Sequence, residues 1–105
     1  YELDPRVTRG IPIEYEQEKA LAGADFVYVK NWSSYTDYGK VLTQDPAWML
    51  TAGKLGHARF MHCLPVRRNV VVADTVLNSP QSLVIEQANN RTYAAQLVLK
   101  KLLEQ

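Results

Sequence analysis

Cys63 is the single thiol in a chain of 105 residues. It stands beside His62 in the stretch FMHCLPVRRN, residues 60–69. An apolar run ends at this pair, the chain bends at Pro65, and Arg67 and Arg68 follow. A thiol among cationic neighbours sits in positive potential, which favours thiolate or a polarised thiol. Pro65 has no N–H of its own, which leaves the Leu64 carbonyl free to turn outward as an acceptor. Guanidinium groups present forked donors to a carboxylate or a phosphate. Together, a thiol, an outward carbonyl and two guanidiniums suit a small anionic substrate bearing an amide-like group. Taken singly, each residue has a plainer reading. A cysteine at a strand end is more often a small buried hydrophobe, a lone histidine a satisfied core residue, and two loop arginines a solvated surface. A metal is disfavoured, because one cysteine and two histidines make no recognisable zinc spacing.

These residues need elements to position them. EYEQEKALAGAD reads as a short helix, with Tyr15, Ala20 and Leu21 on one face and Gly23 at its end. DFVYVKNW is β-favouring at Phe26–Val29. SSYTDYGK is polar and turn-rich, a surface loop. DPAWMLTAGKLG predicts one helix, capped by Asp45, with Pro46 in its first turn and Gly56 near its end. ARFMHCL is a second strand stopped by Pro65, and a short helix spans Ala73–Asn78 before Pro80. SLVIE, Ser82–Glu86, reads as a third strand. NNRTYAAQLVLKKLLEQ closes the chain as a helix, its apolar residues Ala94, Leu97, Val98 and Leu102 recurring at helical spacing. Alternating strands and helices imply an α/β fold with a mostly parallel sheet, right-handed crossovers and a long C-terminal helix. Ligands of such sheets bind outside the carboxyl ends of the strands. Lys30–Trp32, His62–Arg68 and Asn89–Arg91 all fall at such ends in this reading.

Bulk composition narrows the function classes. Apolar residues make up 47% and charged residues 22%, as in ordinary globular domains, and the length suits one small domain. A net charge of +1 gives no footing for nucleic acid. No apolar run reaches the ~20 residues of a membrane span, and no signal peptide is evident. One cysteine forms no internal disulfide, which favours a reducing, cytoplasmic setting. No glycine-rich phosphate fingerprint follows a strand, so a dinucleotide cofactor is unsupported. The opening YELDPRV, without methionine, reads as the interior of a longer protein.

The segment HCLP, residues 62–65, resembles a signature of the aspartate/ornithine carbamoyltransferase superfamily. SPQSLVIEQANNR resembles the family's later segment leading into its last helix. ADFVYVKNW and FMHCLPVRRN resemble the N-acylornithine branch most. The resemblance runs along nearly the whole chain but through only the C-terminal third of a complete enzyme. It implies a three-layer Rossmann-like partial domain, residues 1–105 being the C-terminal, acylornithine-binding part of a two-domain carbamoyltransferase. It also implies that a phosphate-binding loop and most contacts of a homotrimer lie upstream, and that the last helix crosses back to the first domain.

The implied reaction is attack of an ornithine-type amine on the carbonyl carbon of carbamoyl phosphate. Cys63 and Arg91 are then the catalytic residues, with no cofactor and no metal. Cys63 lies against the reacting groups as a positioning residue rather than a nucleophile. The Leu64 carbonyl accepts from the carbamoyl NH₂, and Arg91 holds the carbamoyl oxygen. His62 belongs to the substrate site as well. Ordinary ornithine enzymes carry an aspartate where this chain has Lys30, which suits a free α-ammonium. A lysine suits a substrate that keeps a carboxylate and has lost its ammonium. Lys30 and Arg67 are accordingly assigned to the anionic end of an N-acetyl- or N-succinylornithine. The acetyl-type branch often has a lysine at the position of Val71, so its absence leans towards succinyl. The alternatives are an ordinary ornithine carbamoyltransferase and a non-catalytic module that binds small anions.

Overall fold

The structure is a computed structural model that describes residues 10–32, 37, 40 and 45–105. Most of the SSYTDYGK loop expected at the surface lies outside the described residues. The first helix, α1, is Gln17–Leu21. Gly23 follows it at φ +73°, a left-handed conformation that glycine takes without steric cost. The strand β1 is Phe26–Val29, where four β-favouring residues lie in sequence. Helix α2 is Ala52–Leu55, strand β2 is Arg59–His62, and helix α3 is Asp74–Leu77. The chain closes with α4, Val84–Leu103.

The expected parallel arrangement is present. Strands β1 and β2 pair in parallel from Phe26 with Arg59 through Val29 with His62. Single parallel bridges join Leu50 to Val72 and Phe60 to Ser82. Phe60 sits at the centre of the core at 0% exposure, among Val27, Leu50, Leu55, Ala58, Val71, Val72, Val76, Leu77 and Val84. Burying a side chain of this size contributes roughly 1.5–3 kcal/mol. The core therefore anchors β2 just before His62, where the chain leaves the sheet.

Two expected elements come out differently. Residues 45–56 do not form one helix. Pro46–Trp48 makes a single 3₁₀ turn, capped as expected by Asp45, whose carboxylate accepts from the Ala47 N–H at 2.9 Å. Leu50 then leaves the helix. Its N–H donates to the Val71 carbonyl at 3.0 Å and its carbonyl accepts from the Ala73 N–H at 2.9 Å. Burial of Leu50 through these two bonds outweighs helix propensity, and α2 starts afresh after Thr51, whose hydroxyl accepts from the Lys54 N–H.

The third strand expected over Ser82–Glu86 shrinks to one bridge. Phe60 donates to the Gln81 carbonyl and accepts from the Leu83 N–H, at 2.9 and 2.8 Å, and there the pairing stops. Val84 already belongs to α4. A short apolar run is compatible with either a strand or a helix, and here it is the first turn of a long helix.

Candidate functional site

Three elements meet at the carboxyl end of β2. The strand delivers His62, the loop after it carries Cys63, Leu64 and Pro65, and α4 supplies Gln87, Ala88 and Arg91. These seven residues line a cleft of about 510 Å³. Gln87 and Arg91 are four apart on α4 and so share a face. Arg91 lies about two turns into the helix. It is not at the helix start, where the shorter sequence-based helix placed it, so its position owes nothing to the helix dipole.

The loop itself is held in an unusual backbone shape. Leu64 has φ +50°, a left-handed conformation costing a non-glycine residue about 1–2 kcal/mol, and the Leu64–Pro65 peptide is cis. His62 supports this shape from beneath. Its side chain is 1% exposed, and its Nδ1 accepts from the Leu64 N–H at 2.9 Å. The His62 backbone N–H donates to Gln87 Oε1 at 3.0 Å, which ties β2 to α4. Burial of the imidazole holds its pKa below the ordinary 6.5, and the Lys30 charge lowers it further. The ring is therefore neutral at pH 7.

Cys63 is exposed at the cleft. Its sulfur lies beside the Tyr28 hydroxyl. That hydrogen bond, with desolvation and the charge of a Cys63 thiolate, pushes the phenol above its ordinary 10.0, while Gln87 acts in the opposite sense. The two arginines of the motif do not face the thiol as a pair. Arg68 bonds Asp74 at 2.8 Å, and with Asn69 it holds that carboxyl below its ordinary value. Arg67 donates from Nη1 to the Trp32 carbonyl at 3.2 Å. Among the described residues lining the cleft, the cation is Arg91.

Lys30 and Arg67 do not line this cleft. Lys30 is exposed just after β1, with its charge within reach of His62. Arg67 belongs to a brace between the two strand exits. Asn31 donates from Nδ2 to the Pro65 carbonyl at 2.9 Å and accepts at Oδ1 from the Arg67 N–H at 3.2 Å. One amide side chain thus satisfies two backbone groups of the loop that carries Cys63. Sequence reasoning did not single out Asn31, Gln87 or Tyr28. For Gln87 a signal existed, its spacing of four from Arg91. Val71, the position compared with a lysine, is buried at 1%, so here it faces the core and says nothing direct about the acyl group.

The expected chemistry is thus rearranged rather than absent. A thiol, the left-handed Leu64 and a guanidinium border one cleft, and a second cation stands at the neighbouring strand exit. No group of three or more His, Cys, Asp or Glu capable of holding a metal occurs among the described residues.

Comparison with known proteins bears on the family of the chain. The family model for the aspartate/ornithine carbamoyltransferase Asp/Orn-binding domain matches residues 6–102. An N-succinylornithine carbamoyltransferase of Bacteroides fragilis is 50% identical over 109 residues, covering 99% of this chain and 34% of that protein. An N-acetylornithine carbamoyltransferase of Xanthomonas campestris pv. campestris is 30% identical over 104 residues, covering 90% of this chain and 31% of that protein. Among solved structures, a mutant N-acetyl-L-ornithine transcarbamylase complexed with carbamyl phosphate and N-succinyl-L-norvaline superposes with a TM-score of 0.63 at 33% identity. It covers 74% of this chain and 26% of that one. The chain spans about a third of the length of the curated relatives it matches.

Proposed function

The chain belongs to the aspartate/ornithine carbamoyltransferase family, and from that premise we propose that it supplies the acylornithine-binding part of an enzyme that carbamoylates an N-acylornithine. In this reading residues 1–105 form part of the C-terminal domain of a two-domain, cytoplasmic homotrimer that works in arginine biosynthesis. The substrates are carbamoyl phosphate and N-succinylornithine. The succinyl form is chosen over the acetyl form because the succinyl-type relative is 50% identical and the acetyl-type relative 30%. The observation that carries the proposal is the shared cleft of Cys63, Leu64 and Arg91.

The side-chain amine of the acylornithine attacks the carbonyl carbon of carbamoyl phosphate. A C–N bond forms, the C–O bond to phosphate breaks, and phosphate leaves with the bonding pair. The proton lost by the amine ends on the departing phosphate, and a ureido group remains. Arg91 donates to the carbamoyl oxygen, where negative charge grows as the carbon becomes tetrahedral. A donor preorganised at such a point typically contributes about 3 kcal/mol. The Leu64 carbonyl accepts from the carbamoyl NH₂ and so orients the electrophile. Cys63 packs against the reacting groups and forms no covalent intermediate, since amine attack requires none. His62 borders the same substrate site. Lys30 at the exit of β1 and Arg67 of the loop after β2 are assigned to the carboxylates of the acylornithine. Lys30 has no α-ammonium to repel in an acylated substrate, which favours this branch over ordinary ornithine.

The test uses the full-length protein with carbamoyl phosphate and, in turn, ornithine, N-acetylornithine and N-succinylornithine, with ureido product measured by colorimetry. The expected order is succinyl first, acetyl second, ornithine last. A preference for ornithine would return the protein to the ordinary branch. Product from none of the three would leave a binding module.

A further inference from the structure

We propose that His62 serves the reaction as a positioning residue, its unprotonated Nδ1 holding the Leu64 N–H so that the Leu64 carbonyl is aimed at the carbamoyl group. The inference rests on the proposed carbamoyl transfer for its purpose, though its geometry stands independently. An Nδ1 that accepts at 2.9 Å carries no proton, so the neutral ring carries its proton on Nε2. That Nε2 is buried and has no hydrogen-bond partner among the described residues. The ring is therefore not placed to exchange a proton with a substrate. Its polar work is directed at one backbone amide two residues away.

That amide belongs to the residue with the costly backbone shape. Leu64 sits at φ +50°, and the Nδ1 bond holds the Cys63–Leu64 peptide from which that φ is measured, directly before the Leu64 carbonyl. The far side of His62 is fixed as well, since its own N–H donates to Gln87 of α4. The backbone that carries the imidazole is thus tied to α4, and the buried ring acts as the acceptor for Leu64. Protonation would place an N–H on Nδ1 facing the Leu64 N–H, two donors head to head, and the turn would lose its support.

The groups around the ring keep it neutral. Lys30 at the exit of β1 is cationic, as is Arg91 of α4 at the cleft. Gln87 of α4 is uncharged. Tyr28 of β1 and Cys63 of the same loop interact with each other. Among the described residues, no carboxylate lines the cleft.

Two measurements on the full-length enzyme test this. First, ¹⁵N NMR of the histidine side chains, with the His62→Asn spectrum to assign the signal, should report a bare Nδ1 and a protonated Nε2 at neutral pH. A proton on Nδ1, or a charged ring, would overturn the proposal whether or not the protein is a carbamoyltransferase. Second, the amide oxygen of asparagine reaches the place of Nδ1, while that of glutamine reaches the place of Nε2. His62→Gln and His62→Leu should lower kcat by about 30-fold, the loss expected when the part-buried Leu64 N–H is left without its acceptor. The KM for acylornithine should move little, because the misaimed group is the carbamoyl donor's contact. His62→Asn should recover most of the lost turnover. Equal activity of the Asn and Leu variants, or a Gln variant better than Asn, would show that Nδ1 is not the working atom. Wild-type protein without transferase activity would defeat the proposed reaction while leaving the NMR result to decide the tautomer.

Discussion

Arg91 and Lys30 are both cations assigned to the substrate, yet their surroundings call for different losses on removal. Arg91 lines the cleft beside Cys63 and Leu64 and is carried by a 20-residue helix. Its proposed contact strengthens only as the carbamoyl oxygen gains charge. Arg91→Ala should therefore lower kcat by about 10²–10³, with a smaller change in the KM for acylornithine. Steady-state kinetics with each substrate varied in turn separates the two, and a loss confined to acylornithine KM would move Arg91 to the wrong partner. Lys30 is exposed. An exposed ion pair is worth about 0.2–1 kcal/mol, well short of the ~2–5 kcal/mol of a buried one. Lys30→Met keeps the stem and removes the charge, so kcat/KM for acylornithine should fall about fivefold, carried by KM. A change within twofold would make Lys30 a solvated strand end and leave acyl selection to other residues.

At the scale of elements, the exits of β1 and β2 are coupled by a side chain that no motif advertised. Asn31 answers the Pro65 carbonyl and the Arg67 N–H, and Arg67 reaches back to the Trp32 carbonyl. Asn31→Ala removes two hydrogen bonds, each worth roughly 1 kcal/mol. It should loosen residues 64–67 and raise the KM for acylornithine, visible as faster amide exchange in that loop of the full-length enzyme. Unchanged exchange there would show that the loop is held without the brace. The elements also show what the sequence could and could not reveal. FVYV and ARFMH were legible because consecutive β-favouring residues ran into a turn signal, and HCLP because a contiguous motif keeps its meaning without a fold. Leu50 was not legible as a bridge, because its partner Val72 is distant in the chain and nothing local marks the pairing. Nor was the start of α4. SLVIE carries the same apolar residues as a strand, and only the pairing of Gln81 and Leu83 with Phe60 shows where the extended chain ends. The displaced boundary also explains why Arg91 reaches the cleft from a helix face and not from a strand-end loop.

Across the whole molecule, α4 borders the cleft and continues past it with an exposed apolar face. Leu97, Val98, Leu99, Leu102 and Leu103 are 56–78% exposed. Arg91 lines both the cleft and the shallow apolar groove beyond it, formed with Ala94, Ala95, Val98, Leu99 and Leu102. The catalytic proposal brings a doubly charged phosphate to that cleft. Leaving-group charge of this kind is ordinarily met by several cations or by a cradle of backbone donors. Among the described lining residues there is one guanidinium, and the proposal already commits it to the carbamoyl oxygen. Residues 1–105 alone should therefore fail to transfer a carbamoyl group to N-succinylornithine, N-acetylornithine or ornithine above the uncatalysed rate, even at high concentrations of both substrates. The arithmetic is unforgiving: each 1.36 kcal/mol of missing transition-state stabilisation costs tenfold, and an unmatched phosphate forfeits several such steps. The assay is ureido product formation by the purified 105-residue chain, run beside the full-length protein at equal concentration. Transfer by the short chain within a hundredfold of the full-length rate would show that the phosphate is held by residues of this chain, and the division of labour between two domains would fall.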